Sequence, residues 1–243
     1  MNTVPMTPEQ AAHETRDAIG AVGGGFMRDP ATYAYGAELG FEGMDFYVGG
    51  RGGALGDVPA GVVTAAFIFF APELLEPAWE RSASVISRAR AAQEWAGRLH
   101  ATPRDQFPAD VDWSTLAALS GRVAVAAPAA AAPLFAAWRA QPEPDDDYAL
   151  ALHRLYGLRE LRGALHGAAV LTVGLSPIEA IVVRSPKAVP LSGWQEVPPD
   201  PAPFHDRWAL AEARTDRMFG RNLAVLDAGE RAEFVDLLGS LSA

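Results

Sequence analysis

The chain contains no cysteine, which excludes disulfide bonds, thiol nucleophiles and zinc–thiolate sites together. Positive charge is also scarce, since 20 Lys and Arg residues stand against 30 Asp and Glu and leave a formal net charge of -10. An acidic chain lacks the overall electrostatic footprint that binding to a phosphate backbone needs. We therefore expect no nucleic acid among the partners of this protein.

Long apolar runs and targeting signals are missing as well. No stretch approaches the roughly 18 uncharged apolar residues that a membrane-spanning helix needs. The opening letters MNTVPMTPEQ show neither the positive nor the apolar region of a signal peptide. We expect a globular, cytoplasmic protein with no membrane partner.

The common catalytic and metal-binding signatures do not occur. Neither His-Glu-x-x-His nor Gly-x-Ser-x-Gly is found in the chain. Metal-ligand spacing is also lacking among the histidines, which are His13, His100, His153, His166 and His205. We predict no bound metal and no cofactor, so any chemistry falls to His, Arg, carboxylate and hydroxyl groups.

Helical patterns fill most of the chain. A capping side chain followed by proline marks helix starts at Thr7-Pro8 and Asp29-Pro30, and a capping-box glutamate strengthens the starts at Ser176 and Asp227. The apolar run Val62–Phe70 has the β-branched composition of a strand, but its flanking prolines favour a buried core helix. We predict an all-α fold, a multi-helix bundle, with helices at 8–21, 30–39, 59–70, 73–80, 84–99, 113–126, 133–140, 146–173, 177–184, 205–220 and 228–241.

Two segments have the composition of connections. Residues 102–112 carry two prolines and several charges, and they divide the chain into an N-terminal helical region, 1–101, and a C-terminal helical region, 113–243. One compact unit containing both regions is the alternative. Residues 185–203 are too rich in proline for a helix.

A cationic stripe interrupts the apolar pattern of residues 152–170. At about 100° per residue, Arg159, Arg162 and His166 fall in one narrow arc beside an apolar face. Guanidinium groups bind carboxylate, sulfate or phosphate through paired hydrogen bonds, so the stripe predicts a pocket for a small anionic molecule. His166, or His153 on another side of the helix, would be the acid or base. The alternative is that the arginines lie at the solvent edge or pair with acids of another helix.

A second candidate region, residues 45–56 (DFYVGGRGGALG), places Arg51 in a glycine-rich turn. The segment is not a phosphate-binding loop, because no Gly-Lys-Ser/Thr ending occurs in it. We predict that Arg51 points toward the same pocket as the stripe, with Asp45, Tyr47 and Glu73 orienting the substrate. A surface turn with a solvated arginine is the alternative.

Four segments resemble an actinobacterial family of similar length that is labelled helix-turn-helix-related, sometimes MarR-like, and is largely of unknown function. They are FYVGGRGGALGDVPAGVVTAAFIFF (46–70), HRLYGLRELRGALH (153–166), GLSPIEAI (174–181) and ARTDR (213–217). The resemblance spans most of the chain and implies a mostly helical protein with a degenerate winged-helix-like C-terminal part. It also implies that Arg51, His153, Arg159, Arg162 and His166 fall on recurrent polar positions. Where the family has a further helix and a wing, this chain has the proline-rich residues 185–206, so the winged-helix region is shortened.

These features lead to one main prediction of function and two alternatives. The main prediction is a small-molecule enzyme, or enzyme subunit, of natural-product metabolism that acts on an anionic substrate or leaving group. Elimination, isomerisation or intramolecular displacement would need only the acid–base and anion-binding groups already named. The first alternative is a ligand-responsive transcriptional regulator of the MarR-like type. The second is a non-catalytic partner in a homo- or hetero-oligomer, to which an apolar stripe near the C-terminus would contribute Phe234, Leu237, Leu238 and Leu241.

Overall fold

The all-α fold is confirmed by a computed structural model, which describes residues 5–241. Within that range the chain forms 13 α-helices and no strand. The helices are α1 (Pro8–Val22), α2 (Pro30–Glu38), α3 (Asp45–Gly53), α4 (Ala60–Phe67), α5 (Pro72–Val85), α6 (Arg88–His100), α7 (Trp113–Ala126), α8 (Pro133–Arg139), α9 (Asp147–Thr172), α10 (Pro177–Arg184), α11 (Val189–Ser192), α12 (His205–Leu223) and α13 (Ala228–Ser240).

The helix starts follow the local capping chemistry. Thr7, Ser176 and Asp227 each accept the N–H of the third helical residue, and the side chain of that residue accepts the N–H of the cap in return. Asp29 caps α2 through its side chain, which accepts the N–H of Ala31, and Pro30 occupies the first helical position. These contacts satisfy N–H groups that a helix otherwise leaves without partners.

The centre of the molecule is α9. This helix of 26 residues packs against α1, α6, α7, α8, α10 and α12. Its buried side chains, among them Leu152, Leu155 and Tyr156, lie in a core that also contains Trp95 and Trp138. Because α9 is covered on most of its sides, few of its residues are charged, and those beyond its first turn, Arg154, Arg159, Glu160 and Arg162, each have a partner.

Residues 45–53 of the glycine-rich segment 45–56 form a helix, so the prediction that Arg51 lies in a turn is wrong. All nine residues of α3 are buried, and its glycines permit close packing of the neighbouring helices. A Cβ atom on Gly49 would lie 2.6 Å from the Cβ of Ser82 on α5, and one on Gly50 would lie 2.8 Å from the ring of Trp95 on α6. Tertiary packing therefore outweighs the low helix propensity of glycine.

The predicted helix at 59–70 ends early. It stops at Phe67, and Ile68 then adopts φ 61° and ψ -57°, a conformation that β-branched residues rarely take. The N–H of Phe69 donates to the carbonyl of Phe67 at 2.6 Å and closes a γ-turn of the strained, positive-φ form. The turn directs the chain from α4 into α5, and its residues form a wall of the cavity described below.

Two apolar cores hold the helices together. The larger core takes side chains from both sides of residues 102–112, for example Leu75 and Leu116, and the division of the chain there stays a prediction. Phe234 and Leu238 of the C-terminal stripe are buried in it, where α13 packs against α1 and α7. The smaller core joins the end of α9 to α10 and α12.

The proline-rich connection contains short helical turns and α11, with no strand between residues 185 and 204. Across residues 5–241, no single helix is long and apolar enough to cross a membrane.

Candidate functional site

A cavity of about 590 Å³ lies between α1, α3, α9, α10 and the γ-turn. We call it the arginine cavity, because its lining includes Arg16, Arg28, Arg51, Arg159, Arg162 and Arg184. Most of the remaining wall is apolar or aromatic and includes Tyr47, Phe67, Ile68, Phe69, Phe70 and Trp208. Large apolar pockets with a few convergent polar groups are the usual form of small-molecule sites.

The inner end of the cavity is built on Glu160 of α9, which lies between two arginines. Arg51 donates from Nε and Nη2 to the two carboxylate oxygens at 3.0 and 2.7 Å, and Arg159 donates from Nη1 at 2.7 Å. Burial opposes the charged form of Glu160, yet the two guanidinium groups hold the pKa of its carboxyl below the ordinary value. Arg51 also donates to the hydroxyl of Tyr47 and stacks over the ring of Phe67.

A second charge cluster joins α9 to α12. Arg162 donates from Nη2 to Glu212 at 3.1 Å and to Asp216 at 3.0 Å. Arg16 of α1 lies 3.8 Å from both carboxylates, and His13 lies 3.1 Å from Asp216. Arg162 thus pairs with acids of another helix, as the sequence-based alternative proposed, while it also lines the cavity.

His166 lies one turn beyond Arg162 on α9. Its ring stands between Phe69 and Trp208, with ring centres 5.8 and 4.9 Å away. Nδ1 lies 3.0 Å from the hydroxyl of Thr215, whereas Nε2 is buried and has no hydrogen-bond partner among residues 5–241. Burial lowers the pKa of His166 to about 4 against the attraction of Glu212, so the imidazole is neutral at pH 7.

Two cations at the mouth of the cavity are free of partners within the described chain. Arg184, at the end of α10, and Arg28 make no hydrogen bond or ion pair there. Although Arg184 is exposed as a residue, partial burial of its guanidinium lowers its pKa. The charges of Arg162 and Arg159 act in the same direction, against the attraction of Glu212 and Asp17. The six arginines of the lining meet four carboxylates, those of Asp17, Glu160, Glu212 and Asp216, which leaves a formal excess of two positive charges.

Glycine allows these side chains to approach the neighbouring backbone. A Cβ atom on Gly24, after α1, would lie 2.7 Å from Nε of Arg159. A Cβ atom on Gly167 would overlap the side chain of Ile68 in the γ-turn. Both glycines therefore leave room for side chains that line the cavity, Arg159 and Ile68.

The structure brings together five of the predicted site residues and separates three. Arg51, Tyr47, Arg159, Arg162 and His166 line the arginine cavity. His153 lies elsewhere on α9, 3.2 Å from His100, and burial lowers the pKa of both rings. Asp45 pairs with Arg81 on α5, and Glu73 is exposed in the first turn of the same helix.

Sequence reasoning missed the acids that organise the cavity. Glu160 follows Arg159 directly but points to Arg51, which is 109 positions away in the chain. Glu212 and Asp216 lie about 50 positions beyond Arg162. No local signal connects such partners, although the four-residue spacing of Glu212 and Asp216 does place both on one face of α12.

The wall formed by α9 and α10 has a distinct geometry of its own. Four residues separate the two helices, Gly174 among them adopts φ 76°, and the helices meet at 111°. Leu175 of the turn is buried in the smaller core with Ala180 of α10 and Ala211 of α12. Two helices at this angle, joined by a short glycine-containing turn and backed by a third helix, define a helix-turn-helix unit.

The comparison with protein families agrees with that geometry. A model described as a helix-turn-helix family matches residues 12–202, so the chain belongs to this helix-turn-helix family. Neither the curated proteins nor the solved structures contain a significant match.

This membership corrects the main prediction of function. A helix-turn-helix family indicates a DNA-binding regulator, and nothing in the comparison indicates enzymatic activity. The prediction of a small-molecule enzyme acting by acid–base chemistry was therefore wrong, and the regulator named as its alternative is favoured. The physical reason is that buried cationic side chains support binding of an anion as readily as they support its conversion.

Proposed function

We propose that the protein is a transcriptional regulator that binds DNA through α9 and α10 and responds to a small anionic molecule held in the arginine cavity. The observation that carries the proposal is the family match over residues 12–202, together with the 111° bend between α9 and α10. Within this family, we propose a MarR-like role in natural-product metabolism, on the resemblance described above.

In this proposal α10 is the recognition helix. Its cations are few, since Arg184 ends the helix and Lys187 follows three residues later. Two further cations, Arg207 and Arg214 of α12, lie near the start of α10, where they donate to the carbonyls of Gly174 in the turn and of Thr172 at the end of α9. We therefore expect modest affinity for DNA, with a large share contributed by phosphate contacts and a strong dependence on salt.

The acidic character of the whole chain does not oppose this proposal. Residues 174–223, which contain the turn, α10 and α12, carry six Lys and Arg and six Asp and Glu, so the entire net charge of -10 lies elsewhere in the sequence. The expectation of no nucleic-acid partner was based on the net charge of the whole chain. DNA approaches one face of a protein, and the local charge of that face decides the interaction within a screening length of about 10 Å.

The test is binding to fluorescent duplexes of mixed sequence, measured by anisotropy between about 50 and 200 mM salt. We expect binding at low salt, with the logarithm of the binding constant falling linearly as the logarithm of the salt concentration rises. Lys187→Ala should weaken binding and reduce the magnitude of this slope by about one. Arg104→Ala is the matched control, because Arg104 pairs with Asp146 at the opposite end of α9. Absence of binding at low salt, or equal losses in both variants, would contradict the proposal.

A further inference from the structure

Four arginines form a row along the solvent-facing side of α12. Arg207, Arg214 and Arg221 are spaced at seven-residue intervals, so at about 100° per residue they follow nearly one line along the helix, and Arg217 lies about 60° from Arg214. Arg214, Arg217 and Arg221 are exposed, and Arg207 is partly buried. We call these four residues the α12 arginine row. From its first to its last residue the row is about 21 Å long.

The acids of α12 leave the charge of this row largely uncompensated. Glu212 and Asp216 lie on another side of the helix, where both bind Arg162 of α9. Asp206, the third acid of α12, precedes the row in the first turn of the helix. The row therefore presents positive charge at the surface of a chain whose net charge is -10.

Two members of the row are held against the helix-turn-helix unit. Arg207 donates from Nη1 to the carbonyl of Gly174 at 2.6 Å, and Arg214 donates from Nη1 to the hydroxyl of Thr172 at 3.0 Å. Because a guanidinium group has five N–H donors, each of these arginines keeps donors for a further acceptor. The row thus begins at the turn between α9 and α10 and continues that surface along α12.

The other two members have almost no partners of their own. Arg221 makes no hydrogen bond or ion pair within residues 5–241, and Arg217 lies 3.8 Å from Glu9, with both side chains more than half exposed. An exposed pair at that distance contributes little. Eight arginines outside α12 form ion pairs with shorter contacts, and they are Arg51, Arg81, Arg90, Arg104, Arg122, Arg154, Arg159 and Arg162.

The recognition helix α10 offers few groups to DNA. Its charged side chains are Glu179 and Arg184. Glu179 accepts the N–H of Ser176 in the capping box, and its carboxylate repels phosphate. The remaining side chains of α10 are apolar, so they cannot form hydrogen bonds with base edges. Cations outside α10 must therefore supply much of any affinity for DNA.

A row of guanidinium groups matches a regular row of phosphates. Guanidinium groups bind phosphate through paired hydrogen bonds, and each strand of duplex DNA carries one charge per about 3.4 Å of its axis. A row of about 21 Å is longer than the roughly 12 Å width of the major groove, so it can reach phosphates on both sides of the groove.

We propose that the α12 arginine row binds the phosphate backbone of duplex DNA and supplies most of the affinity, independently of base sequence. This inference rests on the proposed function, because it takes DNA as the partner. It assigns to α12 the contacts that position the protein on the duplex, and it leaves to α10 a minor share of the binding free energy.

The test removes charges from the free end of the row. Arg221→Gln and the double variant Arg217→Gln/Arg221→Gln are compared with the wild type by anisotropy, on two duplexes of equal length and different base composition. The slope of the binding constant against salt on logarithmic axes should fall in magnitude by about one and about two. Between 50 and 200 mM salt, the wild type should therefore lose about tenfold more affinity than the double variant. Both duplexes should show the same change, because phosphate contacts carry no sequence information.

Two controls separate a phosphate contact from other effects. Arg28→Gln removes the same charge from an arginine that is also exposed and without a partner within residues 5–241, so it should leave the slope unchanged. Arg217→Lys/Arg221→Lys keeps both charges and should retain the wild-type slope, whereas a structural role of the guanidinium groups would be lost in it. Melting temperatures establish that each variant is folded. An unchanged slope in the double glutamine variant, an equal decrease in Arg28→Gln, or a decrease confined to one duplex would overturn the inference.

The inference and the proposed function fail in different ways. If the wild type binds DNA and the double glutamine variant keeps its slope, the role of the row falls and the regulator stands. If that slope decreases while Lys187→Ala has no effect, α10 is not the recognition helix and the row remains the DNA-binding surface. If the wild type does not bind DNA at low salt, both are refuted.

Discussion

The ion pair between Arg51 and Glu160 gives the most direct test of how the cavity is built. Glu160→Gln preserves the shape of the side chain, removes its charge and turns an N–H donor toward a guanidinium group. Glu160 is 2% exposed, and Arg51 is 8% exposed, so the arginine would keep a buried charge without a counterion. Breaking a buried pair by removal of one partner costs about 3–5 kcal/mol.

The surroundings place the expected loss at the lower end of that range. Arg51 keeps its bond to Tyr47 at 2.9 Å and its stacking over Phe67. Arg159, which is more exposed than Arg51, can turn toward solvent. We therefore expect Glu160→Gln to lower the free energy of unfolding by about 3 kcal/mol, and the melting temperature by about 6–12 °C for a chain of this size.

The matched control is Glu143→Gln. Glu143 binds Arg154 through two hydrogen bonds of 2.8 and 2.7 Å, the same bidentate geometry, but its side chain is 45% exposed. Surface pairs contribute about 0–1 kcal/mol, so this variant should lose little stability. Urea denaturation at pH 7 measures both variants. Equal losses would refute the argument that burial makes the pair at Glu160 different from the pair at Glu143.

Three further predictions concern pH, cavity width and the turn. Because the pKa of His166 falls from 6.5 when unfolded to about 4 when folded, the unfolded chain binds the proton first as pH falls, and stability should drop by about 2 kcal/mol between pH 7 and pH 5. His166→Asn should remove that share of the pH dependence in urea denaturation. Gly167→Ala should destabilise the protein by about 1–3 kcal/mol, whereas Gly157→Ala on the same helix, where the new Cβ meets nothing within 4 Å, should not. Ser176→Ala and Asp227→Ala should each cost about 1 kcal/mol through loss of a capping box, but only the former should weaken DNA binding.

Each of these predictions has an outcome that contradicts it. A pH dependence that His166→Asn leaves unchanged would mean that other groups cause the loss of stability. Similar thermal stability of the Gly167 and Gly157 variants would show that the γ-turn yields to the added methyl group. Equal DNA affinity of the Ser176 and Asp227 variants would separate the start of α10 from DNA recognition.

The helices were predictable from the sequence because most of their signals are local. Capping residues, the prolines beside them and the 3.6-residue period lie within one or two turns of each other, and the predicted start at Ser176 coincides with that of α10. The same reasoning failed at residues 45–53, where the low helix propensity of the glycines predicted a turn. The reason for a helix there, close contact of Gly49 with Ser82 and of Gly50 with Trp95, depends on helices that come later in the chain.

The candidate site divides in the same way. The helical period alone groups Arg159, Arg162 and His166, and all three line the cavity. The partners that set their charge and orientation come from α3 and α12, and the period of α9 carries no information about them. The strained turn at Ile68 was equally hidden, since a β-branched residue at positive φ is held by its surroundings and not by its own preference.

The arrangement of α10 links the two halves of the proposed function. Ala180, Ile181 and Arg184 lie in the cavity wall, while Ala180 and Val182 are the buried residues that hold α10 to the protein. Because α10 buries so little apolar surface, displacing it requires less free energy than displacing α9. A ligand can shift an equilibrium only by binding one arrangement better than another. A small anion held in the arginine cavity meets this condition where it contacts α9 and α10 at once, because its contacts then fit only one angle between the two helices.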